Sequence, residues 1–279
     1  MDWRNPTVAQ QLLFSTVRIE TLDAADNPLG VGTSFVLAHS FAGQAPTLFL
    51  ISNRHVIEGG STGFIYFTSK DSNGLPEVGK PFFIRVDGFD MQWHGHPNPD
   101  VDIAIFPLGW QLDLIRRGGK EAYLMELSTT MLASVTEIAE SDAFMPVLFV
   151  GYPNGIFDTV NYTPIVRQGT LATPLEFDFD GRPTFLIDAS VFPGSSGSPV
   201  YSYKLSIEGR IVDIRLLGVL SAVFTRQESG EIELIPAPTT VRPIVSFRQL
   251  LDLGVVMKAH LISETLADFA SVHGLSPVQ

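Results

Sequence analysis

Leu48-Phe49-Leu50-Ile51-Ser52-Asn53-Arg54-His55-Val56 is a short apolar run that stops at a polar turn and delivers a histidine just beyond it. Four apolar residues closed off by turn formers read as a short β-strand. The pattern recurs at Phe35-Val36-Leu37, Phe64-Ile65-Tyr66-Phe67, Phe82-Phe83-Ile84-Arg85-Val86 and Ile103-Ala104-Ile105-Phe106. It returns at Val147-Leu148-Phe149-Val150, at 166–171, at Phe185-Leu186-Ile187 and at 216–223. Many short strands separated by Gly, Asn, Asp and Pro indicate an all-β sandwich or barrel. Strand and helix do not alternate regularly, which argues against a doubly wound α/β sheet.

Working outward, residues 12–110 form a first β unit and residues 144–253 a second, which ends in a short helix. The connector, residues 111–143, reads as partly helical, because Tyr123, Leu124, Leu127 and Met131 fall at helix-like intervals. Phe247, Leu250 and Leu251 predict an amphipathic helix over 246–253, stopped near Gly254. A helical tail occupies 254–279, with Leu266, Phe269 and Ala270 on one face of a helix over 263–272.

Composition narrows the function. The chain has 279 residues, 45% of them hydrophobic and 17% charged, with 24 glycines and 19 prolines. This describes a turn-rich globular protein with a sizeable core. The absence of cysteine excludes disulfides, thiolate metal sites and a cysteine nucleophile. A net charge of −12 disfavours nucleic acid and anionic membrane surfaces as partners. No run reaches the eighteen or so apolar residues of a spanning helix. The N-terminus lacks the basic start and continuous apolar stretch of a secretory signal, so a cytoplasmic location is expected.

Phe192-Pro193-Gly194-Ser195-Ser196-Gly197-Ser198-Pro199-Val200 carries the strongest chemical signal. Small residues around a serine let a carbonyl approach its hydroxyl. They also let successive backbone N–H groups converge where negative charge collects. Such a turn is also common without any chemistry. A serine needs a base, and among the six histidines His55 stands at a strand end, where catalytic groups project from a rigid scaffold. Asp102 opens the strand Ile103-Ala104-Ile105, and an imidazole N–H would offset the cost of burying its carboxylate. Asp100 is the rival carboxylate, two residues earlier.

The order His55, Asp102, Ser196, with Ile51-Ser52-Asn53-Arg54-His55-Val56, Asp102-Ile103-Ala104 and Gly194-Ser195-Ser196-Gly197-Ser198-Pro199, resembles the trypsin-like serine peptidases of chymotrypsin fold. The resemblance is greatest to bacterial members related to the HtrA protease domain. Val150-Gly151-Tyr152-Pro153 and Pro164-Ile165-Val166-Arg167-Gln168-Gly169 fit that subgroup too. The likeness spans about residues 30–253. It implies two six-stranded antiparallel β-barrels followed by short C-terminal helices. It further implies Ser196 as nucleophile, His55 as general base, Asp102 as the residue orienting the imidazole, and Gly194 and Ser196 N–H groups as the oxyanion hole. By the family's layout Ser190 floors the specificity pocket, and Ser221, Ala222 and Val223 line one wall, in a strand that pairs with the substrate backbone. No carboxylate is among them, so a small or medium apolar side chain is expected before the cut.

Two departures matter. Ser195 stands where the digestive branch has an aspartate that pairs with a newly cut N-terminus, so activation does not use that ion pair. Too few residues follow Leu253 for the PDZ domain of HtrA proteins. The tail is expected to pack on the second barrel, or else to mediate self-association or activator docking through Leu266 and Phe269. His94-Gly95-His96 beside Asp100 and Asp102 suggests a metal cluster only weakly, because Pro97, Asn98 and Pro99 make it a loop. Gly30-Val31-Gly32-Thr33-Ser34 lacks the lysine and helix of a phosphate loop, and the resemblance implies instead that these glycines end a strand.

The sequence therefore predicts a serine endopeptidase acting on polypeptides through an acyl-enzyme, with no cofactor and no metal. The alternatives are a latent or inactive binding module on the same fold, and an esterase using the same residues. An α/β-hydrolase is disfavoured by chain order, because its serine precedes its histidine.

Overall fold

A computed structural model of the chain describes residues 3–231 and 244–276. Nine strands form one sheet: β1 (Thr16–Leu22), β2 (Pro28–His39), β3 (Thr47–Ser52), β4 (Thr62–Lys70), β5 (Pro76–Asp87), β6 (His94–Gly95), β7 (Ala104–Pro107), β8 (Ala122–Tyr123) and β9 (Leu127–Ser128). The main path across it is β5-β4-β1-β2-β3-β7-β6, with β8 added on β4 and β9 on β2. The remaining strands are β10 (Pro146–Gly151), β11 (Ile165–Leu171), β12 (Thr184–Asp188), β13 (Pro199–Leu205), β14 (Ile211–Glu231) and β15 (Ile244–Lys258). They close into a barrel in the order β10-β11-β12-β15-β14-β13. The helices among the described residues are α1 (Val8–Leu12), α2 (Arg54–Ile57), α3 (Gly109–Arg117), α4 (Val135–Ala139) and α5 (His260–Val272).

The unbroken apolar runs have a physical cause. Side chains alternate across a strand. Phe35, Leu37, Phe49, Ile51 and Ile105 enter one core with Leu148, Val150, Tyr201 and Val219 of the barrel. Their neighbours Val36, Leu50, Ala104 and Phe106 enter a second core with Ile19, Ile65, Phe67, Phe89 and Trp93. The centre of the sheet is covered on both faces, so every position in these runs is apolar. Within β10 the same alternation sends Val147 and Phe149 into the barrel, with Phe185, Ile187, Val200, Leu217, Leu220 and Val256. Each such side chain contributes about 1.5–3 kcal/mol on burial.

The expectation of two six-stranded barrels is corrected here. Only the C-terminal unit closes; the N-terminal unit is a nine-stranded sheet whose edge strands β5 and β6 do not pair. β6 has two residues against twelve in β5, so a ladder between the two edges has almost no length over which to form. Phe89 and Trp93, on the connection between those strands, are buried instead beside Phe106.

The short C-terminal helices are corrected as well. Residues 246–253 belong to β15, which pairs with β14 over 244–250 and 254–258 and with β12 on its other side only over 253–257. Further along it, Gly254, Val256 and Lys258 are buried in alternation. Pairing with β14 overrides a local spacing that suits a helix equally well. The same holds for Tyr123, Leu124, Leu127 and Met131, which lie on β8, β9, their connection and a 3-10 turn over Thr129–Met131. The helices near them are α3 and α4.

Within the tail expected to be helical over 254–279, residues 254–258 continue β15 and one helix, α5, follows; residues 277–279 lie outside the described residues. Leu261, Ile262, Leu266, Phe269 and Ala270 are buried in the core shared by sheet and barrel. Phe269 meets Phe49 edge-on at 5.3 Å and His94 at 5.4 Å. Glu264 and Asp268, one turn apart, reach His96 Nε2 at 3.2 Å and His94 Nε2 at 2.8 Å. The tail thus docks on the first sheet as well as on the barrel, and Leu266 and Phe269 are covered within the chain. No helix among the described residues is long and apolar enough to cross a membrane.

Candidate active site

β3 ends at Ser52, and α2 begins two residues later, with Asn53 as its N-cap. This strand-to-helix step places His55 at the surface, with its side chain 48% exposed. Asp102 lies on the connection from β6 to β7, next to the end of β3 because β7 pairs with β3 as far as Ser52 and Ala104. The acid and the histidine are therefore brought together by adjacent antiparallel strands.

Asp102 holds His55 at two points. Its Oδ1 accepts the His55 backbone N–H at 3.0 Å, and its Oδ2 lies 2.7 Å from Nδ1. A carboxylate at Nδ1 puts the imidazole proton there and leaves Nε2 as the acceptor. Ser221 Oγ also donates to Asp102 Oδ2, and Asn53 Nδ2 donates to the Asp102 carbonyl at 2.7 Å. Burial opposes charge on Asp102. Hydrogen bonds from His55 and Ser221, together with the His55 imidazole, outweigh it and hold the carboxyl below its ordinary value.

The loop before Asp102 is anchored from several directions. Arg54 donates to the His96 carbonyl, and its guanidinium covers Gly95 so closely that a Cβ there would come within 2.7 Å of Nη2. The Asn98 N–H donates to His96 Nδ1 at 3.1 Å, so the His96 proton is on Nε2, facing Glu264. Both histidines weighed as metal ligands are thus engaged with α5. Among the described residues no group of three His, Asp or Glu side chains is placed to hold a metal.

Ser196 sits in a loop shaped by two glycines with positive φ, Gly194 at 84° and Gly197 at 86°. Pro193 and Gly194 occupy the centre of a turn closed by the Ser195 N–H on the Phe192 carbonyl at 3.1 Å, the pattern of a type II turn. At Gly197 any Cβ would lie 1.9 Å from the Thr33 carbonyl oxygen. Among the described residues, no acceptor is bonded to the N–H of Gly194 or of Ser196. Ser195 is buried and uncharged.

Ser196 is half-buried, and its Oγ donates to the Ser221 carbonyl at 3.2 Å. No hydrogen bond joins it to His55 among the described residues. Ser221 instead links Ser196 to Asp102, receiving the Ser196 hydroxyl on its main chain and holding Asp102 with its side chain.

Ser221, Ala222 and Val223 line a cleft of about 790 Å³ that also contains Asp102, Val101, Phe179, Phe224 and Met257. Ser190 is exposed on the connection after β12 and is not part of that cleft. β13 pairs with β14 only as far as Val219, while β15 pairs with it on the other side through Ala222 and Val223. Past Leu220, no described strand pairs with the side of β14 nearest Ser196. Sequence reasoning missed Asn53, Arg54 and Ser221's bond to the acid. The one local signal was Asn53, whose residue type marks a helix start.

No protein-family model matches the chain, and no curated protein matches it. One solved structure similar to it is the active form of the Rv3671c protease from M. tuberculosis. The two are 17% identical with a TM-score of 0.46, over 99% of this chain and 88% of that one.

Proposed function

We propose that the chain is a serine endopeptidase with Ser196 as nucleophile, His55 as base and Asp102 as the group that orients the imidazole. The observation that supports this most is the two-point hold of Asp102 on His55, which leaves Nε2 as a proton acceptor at the surface. In the reaction the Ser196 hydroxyl leaves the Ser221 carbonyl and passes its proton to His55 Nε2 as Oγ attacks the scissile carbonyl. The tetrahedral oxyanion is held by the N–H groups of Gly194 and Ser196. Collapse expels the amine, which takes the proton from His55 and leaves an acyl group on Ser196. Water then repeats the sequence, with its proton passing through His55, and frees the acid. The substrate adds as a strand along the side of β14 nearest Ser196, at Ser221–Val223. Ser190 is assigned to the floor of the pocket for the residue before the cut, and that residue is small or medium and apolar. No metal or cofactor enters these steps.

A second reading rests on one observation, that the Ser196 hydroxyl is bonded to Ser221 and not to the imidazole. On that reading the chain is latent and binds peptides without cutting them. Resting hydrogen bonds of catalytic groups often tighten only with substrate, which favours the first reading. The test is digestion of an unfolded protein mixture, with new N-termini mapped by mass spectrometry. New termini produced by wild type and absent with Ser196→Ala support the peptidase. Ester cleavage without new termini supports an esterase, and neither supports the latent form.

A further inference from the structure

Thr33, in the glycine-flanked segment first read as a plain strand end, lies at the hub of the loop that carries Ser196. It is fully buried. Its N–H donates to the Ser196 carbonyl at 3.0 Å, and its carbonyl accepts the Ser52 hydroxyl at 2.8 Å. Its hydroxyl accepts the Tyr152 N–H at 3.0 Å and donates to the Gly194 carbonyl at 3.2 Å. The amide of Tyr152 can only donate, so the hydroxyl proton is directed at Gly194.

The consequence concerns peptide orientation. The Gly194–Ser195 peptide is pinned at both ends, its carbonyl by Thr33 Oγ1 and its N–H by the Phe192 carbonyl. The Ser196–Gly197 peptide is pinned likewise, by the Thr33 N–H and by the Leu220 carbonyl, which accepts from Gly197 at 2.8 Å. Between and before these fixed units lie the two unbonded N–H groups, those of Ser196 and Gly194. Glycine at 194 leaves the backbone free to adopt more than one orientation, so something else must select it. The other pins are main-chain groups that any residue supplies. The hydroxyl is the one contribution that depends on residue 33 being Thr or Ser. Gly151 keeps space for it, since a Cβ there would lie 2.7 Å from Thr33 Oγ1.

We infer that Thr33 is a positioning residue, whose hydroxyl sets the Gly194 peptide so that the N–H groups of Gly194 and Ser196 face one oxyanion. This rests on the peptidase reading above. The test compares Thr33→Val, which keeps the shape and removes the hydroxyl, with Thr33→Ser, which keeps the hydroxyl. Thr33→Val is expected to lower kcat by about a hundredfold with KM little changed, the loss typical of one oxyanion donor. Thr33→Ser is expected to retain kcat within about threefold, on the same scale. A second readout needs no turnover. The amide resonances of Gly194 and Ser196 in a nitrogen-15 NMR spectrum should move in Thr33→Val and stay in place in Thr33→Ser. Thr33→Ala replaces Thr33→Val if the latter does not fold. Unmoved amide resonances in the folded variant lacking the hydroxyl, or equal loss in Thr33→Ser, would overturn the inference. A wild type that cuts nothing, yet shows these resonance shifts, would sink the peptidase reading and leave the role of Thr33 in the loop standing.

Discussion

The hydroxyl of Ser196 donates to the main-chain carbonyl of Ser221, and the hydroxyl of Ser221 donates to Asp102. One residue of the barrel thus holds both Ser196, which the barrel carries, and Asp102, which the sheet carries. The contact separates two properties that a single substitution can probe. Ser196→Ala removes one hydrogen bond and almost no packing, so unfolding free energy should change by no more than about 1.5 kcal/mol. Turnover should fall by about 10⁴-fold or more. Urea unfolding and peptide cleavage on the same preparation check both halves; a variant that fails to fold would show Ser196 to be structural.

Asp102→Asn should drop kcat by about 10⁴-fold, because the amide no longer selects the His55 tautomer. It should also alter stability with pH. The Asp102 carboxyl is held below its ordinary value of 3.8, so it stabilises the fold above that pH. That contribution is lost as pH falls through the depressed value. The stability gap between wild type and Asp102→Asn should therefore be full at pH 7 and 5 and shrink below the ordinary carboxylate range. Denaturant titrations at those pH values read it directly; a gap that widens in acid would show the sign to be wrong.

The two glycines with positive φ at 197 and 209 separate backbone conformation from crowding. Gly209→Ala meets nothing within 4 Å at a φ of 76°, so it should cost about 1–2 kcal/mol from the left-handed backbone alone. Gly197→Ala adds a Cβ 1.9 Å from the Thr33 carbonyl oxygen and should cost clearly more, with loss of activity. Equal thermal shifts for the two would mean that the Ser196 loop relaxes freely.

The tail should behave as part of the core. Phe269 is 9% exposed and packs on Phe41 and Phe49, so Phe269→Ala should cost about 3–5 kcal/mol. Glu264, whose side chain is 55% exposed, should matter far less, with Glu264→Gln costing about 1 kcal/mol or less. Calorimetry on both variants orders the two effects.

The strand runs were legible because the cores on both faces of the sheet leave no polar position in Phe35-Val36-Leu37 or Ala104-Ile105-Phe106. His55 and Asp102 were legible as strand-end residues, and the structure brings them together. Closure of the first unit was not legible, because it depends on whether β5 meets a two-residue β6, and nothing local in His94-Gly95 encodes that. The stretch 246–253 reads as a helix in sequence because its apolar spacing suits either element until β14 pairs with it. The side-chain bonds of Thr33, Asn53 and Ser221 join residues far apart in the chain, and the rotation of the Ser196 hydroxyl toward Ser221 is a choice among rotamers that sequence does not express.

The central claim is that Ser196 is activated by His55. Its most direct test is intact-mass analysis after reaction with a fluorophosphonate probe, on wild type, Ser196→Ala and His55→Ala. A single adduct is expected on wild type, located at Ser196 and absent from both variants. No adduct on folded wild type, or an undiminished adduct on Ser196→Ala, would contradict that claim.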